Sequence, residues 1–406
     1  MREGWVSTTL GVVAQRTVGR TPPRKEVKYW TDDTRMPFCT IKSMQNRTKM
    51  EFSEGVTKQA VEDSVARLAP QGALLLSFKL SIGRVRFAPR NLYFNEAIAW
   101  VRPDESVVEK HFLALALEDV DWDSLGARAV KGKTLNAQSL DAVPLAIPPL
   151  DEQRRIVDLM DSVDAAISAA QAEVDAAAQL RERVLGHELG TPGENWEKTT
   201  LGELVAFASG YAFPHKFQGR TEGDYPFLKV SDMNSSGNTR LLRTGTNWVT
   251  AEMMVALKAK AHPAGTVVFP KVGAALLTEK RRLLAVPAAF DNNIMGLVAR
   301  ERILNTYLLL FMETVKLSRY AQHGAVPSIN QSHIRSVQIE LPPLADQQRI
   351  VETMATLDTA VITAQSALDR LRDLRSSMLT VLLSGEHEIP ESYDQFLTDT
   401  AAAKTG

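Results

Sequence analysis

Two proline pairs, Pro148-Pro149 and Pro342-Pro343, are where catalysis would be sought first, because Asn/Asp-Pro-Pro-Tyr/Phe is an adenine-methylation motif. Here Ile147 and Leu341 precede the pairs, so no amide or carboxylate stands at that step. Gly126 to Thr134, GARAVKGKT, approaches a phosphate loop, but five residues separate Gly126 from Gly132 where that motif has four. Lys131 and Lys133 read instead as cations of a solvated loop. The seven histidines form no HExxH pair and no G-x-S-x-G elbow occurs, so the histidines read as structural or surface groups. The one cysteine, Cys39, excludes an internal disulfide and a zinc site of several thiolates, and it fits a reducing cytoplasm. What remains is suited to binding: Arg grips guanine or phosphate bidentately, Lys grips phosphate as a point charge, and Asn can read adenine. Lys79, Arg84, Arg86 and Arg90 form one such cluster, with Asn95 nearby. Lys271, Lys280, Arg281 and Arg282 form another, with Asn292 and Asn293. Lys42, Lys229 and Ser231, at the ends of two expected strands (Pro37 to Lys42 and Pro226 to Ser231), are weaker candidates. For each residue alone, ordinary solvation or, for Asn, turn formation competes with base contact.

The elements that carry these residues occur twice. IPPLDEQRRIVDLMDSVDAAISAAQAE, from Ile147, matches LPPLADQQRIVETMATLDTAVITAQSA, from Leu341, at an offset of 194. Trp5, Thr8, Thr9, Leu10 and Gly11 match Trp196, Thr199, Thr200, Leu201 and Gly202 at an offset of 191. Between these anchors only fragments agree, such as Pro37-Phe38 with Pro226-Phe227 and Gly72 with Gly265. The interiors have diverged. Each is expected to be a mixed α/β or α+β domain with many loops: GALLLSF from Gly72 and GTVVFPKV from Gly265 read as strands, Glu109 to Leu117 and Tyr307 to Leu317 as helices.

The matched segments read as helices with a coiled-coil seam. Ile156, Met160, Val163 and Ile167 continue through Ala170, Val174 and Ala177 to Val184 in 4-3 spacing, interrupted by Arg181. Ile350, Met354, Leu357 and Val361 continue through Ala364, Leu368 and Leu371 to Met378 and Leu382, interrupted by Arg375. Each helix is expected to run roughly 28 residues, about 42 Å. Two matched copies favour pairing with each other over two separate core helices. With Gln153, Arg155, Gln347 and Arg349, the leading apolar residues of each seam are the candidates for helix pairing.

The net charge of −1 conceals an alternation. Residues 1–147 hold 21 Lys+Arg against 17 Asp+Glu, and 191–341 hold 17 against 12; 148–190 hold 4 against 9, and 342–406 hold 5 against 10. Only the two mildly basic regions would approach DNA. No apolar run approaches the length of a membrane span, and the amino terminus lacks an apolar signal core, so a soluble, unexported chain is expected.

This organisation resembles the specificity subunits of type I restriction-modification systems, over about residues 5 to 385. The resemblance is carried by Pro148 to Val157, Pro342 to Val351 and the helices behind them, and by SFKLSIGR (Ser77 to Arg84), LYFNEAI (Leu92 to Ile98), FPKVGAALLTEKRR (Phe269 to Arg282) and AAFDNNIMGLV (Ala288 to Val298). It implies two target-recognition domains, 1–147 and 191–341, and two antiparallel spacer helices, 148–190 and 342–385, in a pseudo-twofold tandem duplication, with a disordered tail at 386–406. It further implies a cytoplasmic, non-catalytic subunit that reads a split, asymmetric site on double-stranded DNA. The partners it implies are two methyltransferase subunits, docked on the helices through the same residues that pair them, and restriction/translocase subunits; these partners would carry S-adenosylmethionine, ATP and Mg, and this chain would bind no cofactor or metal. The alternatives are a coiled-coil scaffold with two protein-binding domains, or the recognition module of a related adenine methyltransferase system.

Overall fold

A computed structural model describes residues 4–47, 49–125, 135–322 and 326–395. The loop Gly126 to Thr134 lies outside the described residues. The chain divides into two compact units: Met1–Gln171 with the chain from Ala367 onward, and Ala172–Ser366.

In the first unit β1 (Ala14–Val18), β2 (Leu74–Ser77), β3 (Val85–Phe87) and β4 (Ile98–Pro103) form an antiparallel sheet in the order β1-β4-β2-β3. Gly72 precedes β2 with φ +75, a left-handed turn that glycine adopts without a Cβ clash. Every residue of β2 is buried, because both faces of the sheet are covered, so GALLLSF is an unbroken apolar run. Successive side chains still alternate. Leu74 and Leu76 join the core under α1 (Lys110–Asp119), while Leu75 joins a second core with Cys39, Met44 and Phe94. The strands Val6–Thr9 and Pro144–Ile147, before and after this sheet in the chain, pair antiparallel. The next element is the long helix α2 (Leu150–Gly190).

The second unit repeats the plan. β5 (Val205–Ser209), β6 (Leu241–Leu242), β7 (Val267–Pro270), β8 (Arg282–Leu284) and β9 (Ile294–Ala299) lie in the order β5-β9-β7-β8-β6. Gly265, at φ +84, turns into β7, where Val267 and Phe269 face the core under α3 (Asn305–Thr314) and Val268 faces a smaller core. Glu197–Thr200 pairs antiparallel with Gln338–Leu341, and the helix α4 (Leu344–Ser384) follows. The matched opening segment of each half thus pairs with the strand that leads into the matched proline pair and helix.

The two long helices pack together. In the first unit Ile156 and Met160 of α2 share a core with Leu379 and Leu382 of α4. In the second, Leu185 of α2 shares one with Ile350 and Met354 of α4. Numbers rising along one helix fall along the other, so the pairing is antiparallel. Each helix is 41 residues long, against the 28 expected. The extra length lies outside the seams, before Ile156 and Ile350 and beyond Val184 and Leu382, where Leu, Ala, Gln, Glu and Arg sustain the backbone. Both helices start only after the proline pair, at Leu150 and Leu344.

The expectation of a disordered tail from 386 needs correcting as far as Gln395. Ile389 is buried in the first unit's core, Tyr393 Oη donates to Asp158 at 3.1 Å, and Asp394 lies 3.0 Å from Arg155 Nε. No helix among the described residues is long and apolar enough to cross a membrane, and they hold no cluster of potential metal ligands.

Candidate functional site

Each proline pair opens onto a buried glutamine that ties three segments together. Gln153 Oε1 accepts from the backbone N–H of Glu109 at 2.7 Å, and its Nε2 donates to the carbonyls of Val107 at 3.0 Å and Pro148 at 2.8 Å. Gln347 repeats the set with Leu304 at 2.9 Å, Arg302 at 3.0 Å and Pro342 at 2.9 Å. Each glutamine thereby fixes the start of a domain helix, α1 or α3, to the start of a long one. Their assignment to subunit docking needs correcting, since a fully buried amide with its donors and acceptor engaged internally has nothing left for another subunit.

The arginines that interrupt the seam are its polar centre. In the first unit Arg375, on α4, makes a two-pronged pair with Asp164 of α2 (Nε–Oδ1 2.5 Å, Nη2–Oδ2 2.9 Å) and reaches Glu118 of α1 at 3.4 Å, where Arg47 also binds at 2.8 Å. In the second unit Arg181, on α2, pairs with Asp358 of α4 at 2.5 Å and Glu313 of α3 at 2.8 Å, and Arg240 joins both acids. Burial would lower the Arg375 and Arg181 pKa values, but the hydrogen-bonded carboxylates outweigh it and hold both above the usual range. Sequence reasoning marked the two arginines only as interruptions. Asp164 and Asp358, matched in the repeat, were the signal for their partners.

The remaining docking candidates divide. Ile156, Met160, Ile350 and Met354 are buried, holding helix to domain, and Val163, Ile167, Leu357 and Val361 are half-buried along the helices. Arg155 is buried and donates to the Ile389 carbonyl at 2.9 Å, so it too is internal. Arg349 is exposed and grips Glu188 with both Nη atoms, at 3.1 and 3.0 Å.

The arginine clusters expected to meet DNA also turn inward. Arg84 Nη1 donates to the Ile41 carbonyl at 2.8 Å, and Arg86 donates to those of Asn46 at 2.9 Å and Val85 at 2.6 Å. Arg282, the first residue of β8, donates to Asn238 at 2.6 Å, Arg281 at 2.8 Å and Met233 at 3.0 Å. Arg281 is buried against Glu279 and the Val315 carbonyl, and Lys280 bonds to Asn234. Burial lowers the pKa values of Arg86, Arg281 and Arg282. These side chains shape the domains and are not free surface cations. Asn95 and Asn293 are turn residues: Asn95 Oδ1 accepts from Ala97 N–H at 3.1 Å, and Asn293 N–H donates to Asp291 at 2.9 Å.

Lys42, Arg90, Ser231 and Asn292 are exposed; Lys79, Lys229 and Lys271 are half-buried. Lys229 Nζ bonds to Gln218 at 2.6 Å, Lys79 lies 5.3 Å from the Phe78 ring and Arg90 5.5 Å from that of Phe52. Cys39 is buried and its thiol is pushed up to about 12, which rules it out as a nucleophile at neutral pH.

A family model described as the type I restriction modification DNA specificity domain matches the chain twice, over residues 2–175 and 193–369. Among similar chains is the MjaIX type I restriction enzyme specificity subunit of Methanocaldococcus jannaschii, 23% identical, with 95% of this chain and 94% of that one covered. Another is the StySPI specificity subunit of Salmonella potsdam, 22% identical over 95% of this chain and 89% of that one. Two solved structures share the fold. One, from work on assembly and conformational transition of the type I R-M system, has a TM-score of 0.65 at 16% identity and covers 94% of this chain and 98% of that one. The other, a type I S subunit from M. genitalium, has a TM-score of 0.53 at 13% identity, covering 93% and 96%.

Proposed function

Because the chain belongs to the type I restriction-modification DNA specificity family, we propose that it chooses the target sequence for a methylating and restricting complex and performs none of the chemistry itself. The observation that carries this reading is one scaffold built twice with different side chains on it. Both units have the same four-strand antiparallel core, to which the second adds β6, and the same buried glutamine and arginine–carboxylate network, yet their loops differ in length and residue type. Two unlike domains on like frames suit two unlike half-sites, so the target on double-stranded DNA is asymmetric and split by unread bases.

Methyltransferase subunits dock on the long helices, where Leu180, Ile362 and Leu374 are exposed, and restriction/translocase subunits join them. S-adenosylmethionine, ATP and Mg are bound by those partners, in the cytoplasm. The test is to map methylated adenines across the genome of a host with and without this chain. A bipartite, non-palindromic motif that disappears with the chain is expected. A palindromic motif counts against two unlike half-sites, and methyl transfer from S-adenosylmethionine by the purified chain alone counts against a non-catalytic role.

A further inference from the structure

The inward-turned arginines identify a loop in each unit by what they hold. In the first unit Arg84 and Arg86 bond to the Ile41 and Asn46 carbonyls, at the two ends of the short helical turn Lys42–Met44. In the second unit Arg282 bonds to the Met233 and Asn238 carbonyls, spanning the end of the corresponding turn Val230–Asn234 and the residues after it. Each turn follows a short strand, Phe38–Cys39 or Tyr225–Leu228, that runs parallel to a later strand, and each is pinned by one buried methionine, Met44 or Met233. The second loop is further fixed by Asp232, whose carboxylate accepts from the N–H groups of Lys229 at 2.7 Å and Thr246 at 3.0 Å. Guanidinium forks on backbone carbonyls, joined by the Ser43 side chain in the first loop and by those of Asp232 and Asn238 in the second, hold the loop backbones and leave the other loop side chains outside this framework.

Those side chains are the ones left facing outward, and they differ between the units. The first loop exposes Lys42, Gln45, Asn46 and Arg47, and the first three line a cleft of about 570 Å³ to which Lys49 and Glu51, beyond the loop, also contribute. The second exposes Ser231, Ser235 and Ser236, uncharged and shorter, beside Asn234, whose Oδ1 accepts from Lys280 Nζ. Lysine and glutamine at fixed positions can address guanine and adenine edges; hydroxyls and amides address a different set. A common mount carrying exchangeable polar groups is the arrangement that base reading requires, because a reading group must be held in place before contact to discriminate.

We propose that the loops at residues 40–47 and 229–239 are the base-reading elements of the first and second half-sites, with Arg84, Arg86 and Arg282 as positioning residues behind them. This rests on the reading of the chain as a DNA-specificity subunit and deepens it. The experiment uses the full chain co-expressed with its methyltransferase partners, with methylated adenines mapped at cognate and single-mismatch sites. Gln45→Ala and Lys42→Ala should each reduce discrimination about tenfold at a position of one half-site and leave the other unchanged. Ser235→Ala with Ser236→Ala should act on the opposite half-site alone. The proposal is overturned if these variants keep the wild-type motif, or if methylation falls equally at cognate and mismatched sites, which is the signature of phosphate contact. A wild-type chain that directs no bipartite methylation would instead overturn the functional reading beneath it, so the two failures are told apart by the unmutated control.

Discussion

Gln153 and Gln347 each leave three backbone groups without partners when truncated, and the site is too buried for water to replace them all. Gln153→Ala should therefore cost about 3 kcal/mol or more, at about 1–3 kcal/mol for each buried group stranded. Urea unfolding is the check: a midpoint unmoved in Gln153→Ala would mean that the amide's three bonds are individually weak. Arg375 presents a different balance, because Asp164 remains 43% exposed while the guanidinium is almost fully buried. Removing the cation should cost about 2 kcal/mol, below the loss of about 3–5 kcal/mol for a wholly buried pair, since water reaches the stranded carboxylate. In a double-mutant cycle Arg375→Ala and Asp164→Ala should couple by about 1 kcal/mol or more; strict additivity would show the pair to be incidental. By contrast, reversing charge at Lys280, Arg281 and Arg282 cannot serve as a probe of DNA affinity alone, because Arg281 and Arg282 hold carbonyls within the domain.

The helices were readable from sequence because an apolar spacing of three and four survives in both copies, and two copies exclude coincidence. Their full length was not, since each helix begins six residues before its seam, at Leu150 and Leu344, in a mostly polar stretch that carries no apolar period. The strands β2 and β7 were visible as apolar runs. Their place between two cores was not, because burial on both faces erases the alternation that assigns a strand's sides. The same limit applies to the DNA candidates: an arginine's type says what it can grip, while only the fold decides whether it grips a phosphate or its own loop. The contacts of the chain between 386 and 395 are hidden in the sequence for a related reason, as Ile389 and Tyr393 sit among charges and proline that read as linker. Ending the chain at Gly385 should expose the first turns of α2 around Arg155 and Asp158, with a loss of about 2 kcal/mol from the burial of Ile389 alone. Amide hydrogen exchange in Leu150–Met160 is the measurement; unchanged protection would show that the tail lies on the helix without stabilising it.

Each long helix begins in one unit and ends in the other, so the chain passes between the units within α2 and within α4. If these helices set the number of unread bases, lengthening both should change the gap and nothing else. The unit borders, between Gln171 and Ala172 and between Ser366 and Ala367, are the places to do it. Nearer the domains, Leu185 and Leu382 are buried in the cores and an insertion there would damage the fold along with the spacing. Four residues added at each border form a stutter that an antiparallel seam absorbs by local unwinding, and they extend each helix by about 6 Å. That length matches one to two base-pair steps of B-DNA, at about 34–36 Å for a turn of 10–10.5 base pairs. The half-sites should stay as they are, because no reading side chain has moved within its own unit, while the preferred gap grows by one or two base pairs. Methylation mapping of the lengthened chain gives the answer. An unchanged gap at full activity would mean that spacing is set elsewhere, and a changed half-site would mean that reading extends beyond the two loops.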